Sequence, residues 1–398
     1  MTDSPDIFDV LTATAAHGGP QAMFDALAAS LAARRRWHAL FDLRLLQART
    51  ELGLPATGDL GTVDSATRDK LDETSLAACR EVGWPLLEEG RVAAAWMYLR
   101  AAAEPAEVAR KLAALAQQEA ADDEESSSRL QEIIHIALWE GVDPALGLSL
   151  VLASQGTCNA ITAYEQAVAR LPALRQQPAA GILVDHLFRE LFQSLAADLE
   201  RRGLVPPERI AKTSSIAELL AAAGGLKDDP SFHVDVSHLQ SVLRIARVCT
   251  ERAVVEKAWE LALYGCRLPE EVTYPGEPPF ENVAEASRLF YGALLGRDAD
   301  ETVRYFRQAA ALARVEESGI LPADTLVYLL WRLDRPAEAL HAALERPAEG
   351  GMPSIMQAIG MLPSLVDLAV AGNAIDALRE ACRRRGDEIT FAATFLES

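Results

Sequence analysis

The chain has 398 residues and a formal net charge of −20, from 38 Lys and Arg against 58 Asp and Glu. Half of the residues are hydrophobic, enough for a sizeable core and for two or three domains or one long repeat array. The acidic balance argues against nucleic acid as a partner and against attachment to an anionic membrane, since both need clustered positive charge.

The first residues (MTDSPDIFDVLTATAAHGG) are acidic and lack the basic start and apolar run of a secretory signal. The longest apolar stretch, Ala145–Ala153, is far short of the roughly 20 residues a membrane span requires. The five cysteines, Cys79, Cys158, Cys249, Cys266 and Cys382, are scattered and form no CxxC pair. This pattern predicts reduced, mostly buried thiols in a soluble cytoplasmic protein without disulfides.

Alanine, leucine, arginine and glutamate dominate, all strong helix formers, and strand signals are almost absent. Helical periodicity, punctuated by Gly and Pro, predicts helices over 20–33, 35–52, 64–81, 91–102, 105–120 and 127–140. A central group follows at 143–153, 159–171, 179–202, 207–222, 236–250 and 253–265. There, Leu187, Leu191 and Leu195 recur at four-residue steps, as do Leu239, Leu243, Ala246 and Cys249 at near-helical spacing. A C-terminal group occupies 280–295, 299–314, 322–333, 335–345, 354–371, 374–385 and 387–396. The acidic, Ser-rich segment 121–128 reads as a linker or as the cap of the next helix. Tyr274–Pro279 (YPGEPP) is the clearest break in the second half, with Gly350–Pro353 a later one. These breaks divide the chain into an N-terminal helical region at 1–120, a central one at 121–273 and a C-terminal repeat region at 274–398.

Three segments recur at 38-residue spacing: Gly296–Thr302 (GRDADET), Asp334–Leu340 (DRPAEAL) and Gly372–Leu378 (GNAIDAL). Gly90–Trp96 (GRVAAAW) looks like an earlier copy. Each is a tight turn, a polar helix start, then small and large residues that let helices approach. A period between those of tetratricopeptide and HEAT repeats means stacked helical hairpins. Over about 290–385 and 85–115 the chain resembles tetratricopeptide-like helical-repeat proteins. The family's full Trp-Leu-Gly-Tyr-Ala-Phe-Pro pattern is absent, so only architecture carries over. The resemblance implies an all-α fold of stacked antiparallel hairpins, an open α-solenoid or a closed α/α toroid. Leu340 and Leu378 are expected at equivalent buried positions.

Chemistry-bearing residues concentrate between 135 and 238. Glu132 and His135 share a helix face, the Glu-x-x-His spacing of di-metal bundles. Asp185-His186 precedes Glu190, an i, i+4 partner of His186. His233-Val-Asp235-Val-Ser-His238 packs three potential ligands into six residues. Imidazole with carboxylate suits zinc, iron or manganese. His135, His186, His233, Asp235 and His238 are therefore the candidate metal ligands, with His238 and Asp235 as the candidate catalytic pair. In a helix's first turn, the positive dipole end favours neutral imidazole at His238, the form that ligates metal or accepts a proton.

Each segment has a plainer reading. The first two pairs are also what a solvated helix flank carries. Ser237 with Gln240 fits a capping box, and Asp235 is an alternative N-cap. Gly156-Thr-Cys-Asn159 reads as a capped turn, or as a reactive cysteine near a positive helix end. Tyr264, Arg267, Tyr274 and Phe280 flank the YPGEPP break as groove residues or as loop packing. Signatures for P-loops, dinucleotide folds and nucleophile elbows are missing. Two functions remain: a helical-repeat protein that binds a protein or peptide on its concave face, or a metal-dependent hydrolase or oxygenase with a His/Asp pocket.

Overall fold

The computed structural model describes residues 6–58, 63–118, 124–226, 229, 231–346 and 354–396. Among these residues the regular structure is helical and there is no strand, so the fold is all-α. The chain forms two compact units, Met1–Leu150 and Val151–Ser398. The sequence-based boundaries at 120/121 and 273/274 thus fall within units. The YPGEPP break is an internal loop, tied down by Gln240 Nε2 donating to the Tyr274 carbonyl at 2.7 Å. The Gly350–Pro353 break, Pro230 and the start of the acidic segment, 121–123, lie outside the described residues.

The first unit contains α1 (Ile7–Ala33), α2 (Trp37–Glu51), α3 (Ser65–Glu88), α4 (Val92–Ala102), α5 (Pro105–Gln118) and α6 (Glu124–Ile134). α1 holds two helical stretches: the expected one from Pro20, and an earlier one that the periodicity did not suggest and that Asp6 caps by accepting from Phe8 N. Gly19, at φ 75° and ψ −175°, is non-helical and separates the two stretches at a kink. Each of α1 to α4 packs on its neighbour, and α6 packs on α4 and α5. The core joins Leu86, Leu87, Val92, Leu99, Leu112 and Ile133. α3 and α4 meet at Gly83, where a Cβ would lie 2.6 Å from a Leu99 methyl. Past α6, His135–Trp139 forms one wide helical turn. α7 (Pro144–Ala163) follows, spanning the division at Leu150.

The two helices expected at 143–153 and 159–171 meet at a kink inside α7, where Gly156 is non-helical at φ 83° and ψ 177°, and the second continues as a wide turn at Tyr164–Val168. The second unit continues with α8 (Ala173–Arg201), α9 (Pro207–Ile210), α10 (Ile216–Ala222), α11 (Val236–Ile245) and α12 (Arg252–Gly265). The helix expected at 207–222 is split because Ser215 caps a fresh start at α10. α8 buries Leu183, Leu187, Leu191 and Leu195 as the four-residue steps suggested, against α10, α11 and α12. Next come α13 (Val283–Leu294), α14 (Ala299–Leu312), α15 (Val315–Ser318), α16 (Leu321–Arg332) and α17 (Pro336–Glu345). The unit ends with α18 (Ile355–Ala358), α19 (Leu365–Ala371), α20 (Ile375–Arg385) and α21 (Glu388–Ala393). Residues 354–371 are two helices because Ser354 and Ser364 each close a capping box.

One turn chemistry joins α13 to α14, α16 to α17 and α19 to α20. Gly296, Asp334 and Asn373 adopt positive φ of 82°, 57° and 49°. The next amide then bonds back to the helix it left: Arg297 N to Gly292 O, Arg335 N to Leu330 O, Ala374 N to Ala369 O. The recurrence at 296, 334 and 372 therefore marks real turns, with one shift. Gly372 itself has ordinary backbone and Asn373 carries the left-handed conformation. Gly372 is needed for contact, since a Cβ there would lie 2.8 Å from Ala337 N. Thr302, Leu340 and Leu378 are all buried, each six residues beyond its segment's start.

Candidate functional site

Four of the five sequence-derived ligands, His135, His186, His233 and Asp235, have separate partners, and His238 takes part through its backbone amide. His135 belongs to the first unit, where its Nε2 lies 3.6 Å from Glu140 and its side chain is exposed. Its expected companion Glu132 turns instead to the α4 N-terminus and accepts from Ala93 N at 2.9 Å. His186 Nε2 sits 3.0 Å from Thr157 Oγ1 and 3.6 Å from Glu190. Asp235 is the N-cap of α11, accepting from the amides of Ser237 and His238. Ser237 Oγ also donates to it, which lowers the Asp235 carboxyl pKa. The capping box expected of Ser237 and Gln240 does not form, because Gln240 reaches Tyr274. Among the described residues, no group of three or more His, Cys, Asp and Glu is arranged to hold a metal ion.

His233 is the member that enters a dense network. Its ring Nε2 is 3.1 Å from Asp198 Oδ2, and its Nδ1 is 2.9 Å from the Tyr264 hydroxyl. That hydroxyl accepts from the His233 amide at 2.8 Å and from Arg267 at 2.9 Å. With two donors already on the Tyr264 oxygen, its own proton goes to Nδ1, leaving Nε2–H to serve the carboxylate. Neutral imidazole satisfies every partner. Arg202 joins Asp198 to Asp229, and Asp229 caps the loop at Ser231. Burial raises the Asp198 carboxyl, but hydrogen bonds from His233, Arg201 and Arg202 outweigh it and bring it down to about 2. Burial likewise pushes the Tyr264 phenol up.

An Asp–His–Tyr relay suggests proton transfer, yet its geometry leaves no position for a substrate. Tyr264 is fully buried and its hydroxyl has no capacity left. The network pins Asp229 and the segment 231–235 onto α8 and α12. Sequence reasoning found His233 but missed Asp198, Arg202 and Asp229, which carry no motif and lie on separate segments. Of the residues flanking the YPGEPP break, Tyr264 and Phe280 are core, while Tyr274 is exposed. Arg267 borders a 630 Å³ cleft between α10 and α12, with Leu220, Leu263 and Leu268.

The first unit carries a groove between α4 and α6. One stretch, of 440 Å³, is lined by Ala93, Trp96, Gln131, Glu132, His135 and Ile136. A second, of 380 Å³, shares Ala93 and Glu132 and continues past Gly90 and Arg91. The Trp96 indole Nε1 is buried there without an acceptor. Exposed Met97 follows it in sequence, and exposed Trp139 ends the turn that starts at His135. Glu132 supplies the α4 cap because Arg91, the N-cap residue, makes none with its side chain. The groove floor thus starts at the turn of the Gly90–Trp96 segment. Comparisons of the chain with protein-family models, curated proteins and solved structures found no match.

Proposed function

We propose that this protein binds a peptide segment of a partner protein along the α4–α6 groove. The observation that carries the reading is the Trp96 side chain: it lines an elongated groove while its N–H lacks an acceptor. An unmet buried donor costs about 1–3 kcal/mol, and a main-chain carbonyl of an extended peptide would meet it. Ala93 and Ile136 offer apolar contact, while Gln131 and Glu132 offer polar groups at the rim. Such mixtures of a few placed polar groups on an apolar wall suit specific recognition. The short helical hairpins around the groove agree with a repeat-type scaffold, whose surfaces commonly serve this purpose.

The test is selection of peptides from a random library on the full chain, followed by affinity measurement by fluorescence anisotropy. Trp96→Phe keeps the ring and removes the donor; it is expected to weaken the selected peptides about 2- to 10-fold, one net hydrogen bond. Ala93→Trp fills the groove and is expected to abolish binding. Selected peptides that bind both variants as tightly as the wild type would refute the assignment, as would failure to enrich any peptide.

A further inference from the structure

The 630 Å³ cleft between α10 and α12 is apolar except at one residue. Ala217 and Leu220 line it from α10, Leu263 from α12, and Leu268 and Pro269 from the chain just beyond α12. Leu220 and Leu268 are buried, while Ala217 and Leu263 are half-buried. Cys266 lines the cleft as a neutral thiol, its S–H donating to Glu285 at 3.3 Å. Among the described residues, Arg267 is the one charged side chain of the lining.

The Arg267 guanidinium is held firmly at one end only. Its Nη2 donates to the Ser231 carbonyl and to the Tyr264 hydroxyl, the latter at 2.9 Å, and the group lies 4.5 Å from the Tyr264 ring centre. Its Nη1 has one long contact, 3.4 Å to the Asp229 carbonyl, and its Nε is buried without an acceptor. Among the described residues no carboxylate pairs with Arg267, and the Asp229 carboxylate goes to Arg202 instead. The acidic residues of the two cleft helices are committed elsewhere. Glu218 accepts from Thr213, Glu256 pairs with Arg252, and Glu260 accepts from Ser215 Oγ and from the amides of Ile216 and Ala217.

These features select a ligand by its chemistry. A wholly apolar molecule would cover the leucines but desolvate a cation without giving it a counter-charge. A small inorganic anion would meet the cation but leave the leucine wall in water. An alkyl chain ending in one carboxylate satisfies both: the chain covers the wall, and the carboxylate takes the donors left on a guanidinium already fixed in place. Among the described residues no aromatic ring lines the cleft, so a planar ligand gains no stacking there. The volume falls within the range of small-molecule sites, about 300–1,000 Å³.

We propose that the α10–α12 cleft binds a medium-chain fatty carboxylate, with Arg267 as the receptor of its carboxylate. The cleft belongs to the second unit and the α4–α6 groove to the first, so the proposal does not depend on peptide binding in that groove.

The test is isothermal titration calorimetry of the full chain with octanoate, octanol and N-acetylleucine. Octanoate is expected to bind at one site per chain, and octanol about tenfold more weakly or less. Arg267→Gln is expected to weaken octanoate about tenfold or more, the worth of one charge-assisted hydrogen bond, and to leave octanol unchanged. Ala217→Trp fills the cleft from a half-buried position and is expected to abolish octanoate binding. It carries the test if Arg267→Gln, which also disturbs the contacts to Ser231 and Tyr264, fails to fold. No octanoate binding by the wild type, octanol binding as tightly as octanoate, or octanoate affinity unchanged in either variant would overturn the proposal. N-acetylleucine binding as tightly as octanoate would assign the cleft to peptide C-termini and overturn the fatty-carboxylate reading.

Discussion

Replacing Asp198 with alanine strips several donors of one acceptor, and burial decides which loss matters. Arg201 is 78% exposed and rehydrates at little cost. Arg202 is 35% exposed and keeps Asp229, so it too loses little. His233 is 4% exposed, with Nε2 facing Asp198 and Nδ1 committed to Tyr264. Its Nε2–H is left as a buried donor without a partner, at about 1–3 kcal/mol. For a unit of this size that is a melting shift of about 2–4 °C per kcal/mol. His233→Ala should lose the same contact, so the two changes should not add. The expected coupling in a double-mutant cycle, read by urea unfolding of the full chain, is about 1–2 kcal/mol. Additivity within about 0.3 kcal/mol would show that the Asp198–His233 pair does not hold the loop.

The same carboxylate predicts acid sensitivity. Asp198 holds its charge down to about 2 in the folded chain against 3.8 for a free carboxyl, so between these values the unfolded state binds more protons. Its contribution is present above about pH 4, fades as pH falls toward 2, and is about 1 kcal/mol after solvent screening; Asp198→Asn should flatten the acid limb of stability against pH. Leu340→Ala and Leu378→Ala, both buried at hairpin-equivalent positions, should each cost about 2–5 kcal/mol in chemical denaturation, and a cost below about 1 kcal/mol at either would contradict the packing. Thiol labelling without reductant should modify exposed Cys158 before buried Cys249, whose thiol burial pushes up to about 12, and should reach all five cysteines on denaturation.

The all-α fold was legible because two local signals agree: helix-forming composition and an apolar stripe on helices such as α8. Boundaries were less legible where the chain departs from them. The α1 start depends on one cap, Asp6, whose flanking residues show little apolar periodicity. Gly156 is the interruption between helical stretches that its place in the sequence suggests, since φ 83° and ψ 177° lie outside the helical region. Gly372 opens the third recurring turn segment, and glycine is the residue that most readily takes positive φ. Asn373 takes that conformation instead, and the glycine is there to let α17 approach.

The histidines show why ligand-type residues read along a chain differ from ligands in space. His233-Val-Asp235-Val-Ser-His238 looks concentrated because its members are close in sequence. Yet a helix start requires a capping acceptor, and Asp235 meets that need with the amides of Ser237 and His238. The cap commits Asp235 to its own helix end, while His233 points the other way, toward α8 and α12. Glu132 and His135 part similarly: one turn of helix places them on the same face, but an uncapped α4 N-terminus draws Glu132 away. In both pairs the backbone's need for acceptors at helix starts recruits a carboxylate that spacing alone would assign to chemistry. Unpaired groups carry more functional information, and pairing is a property of three-dimensional neighbours. Trp96 Nε1 and Arg247 Nε lack partners only because of what the fold places, or fails to place, around them. An indole in an alanine-rich helix and an arginine beyond a leucine-rich one look ordinary in sequence, because a missing partner is visible only among neighbours in space.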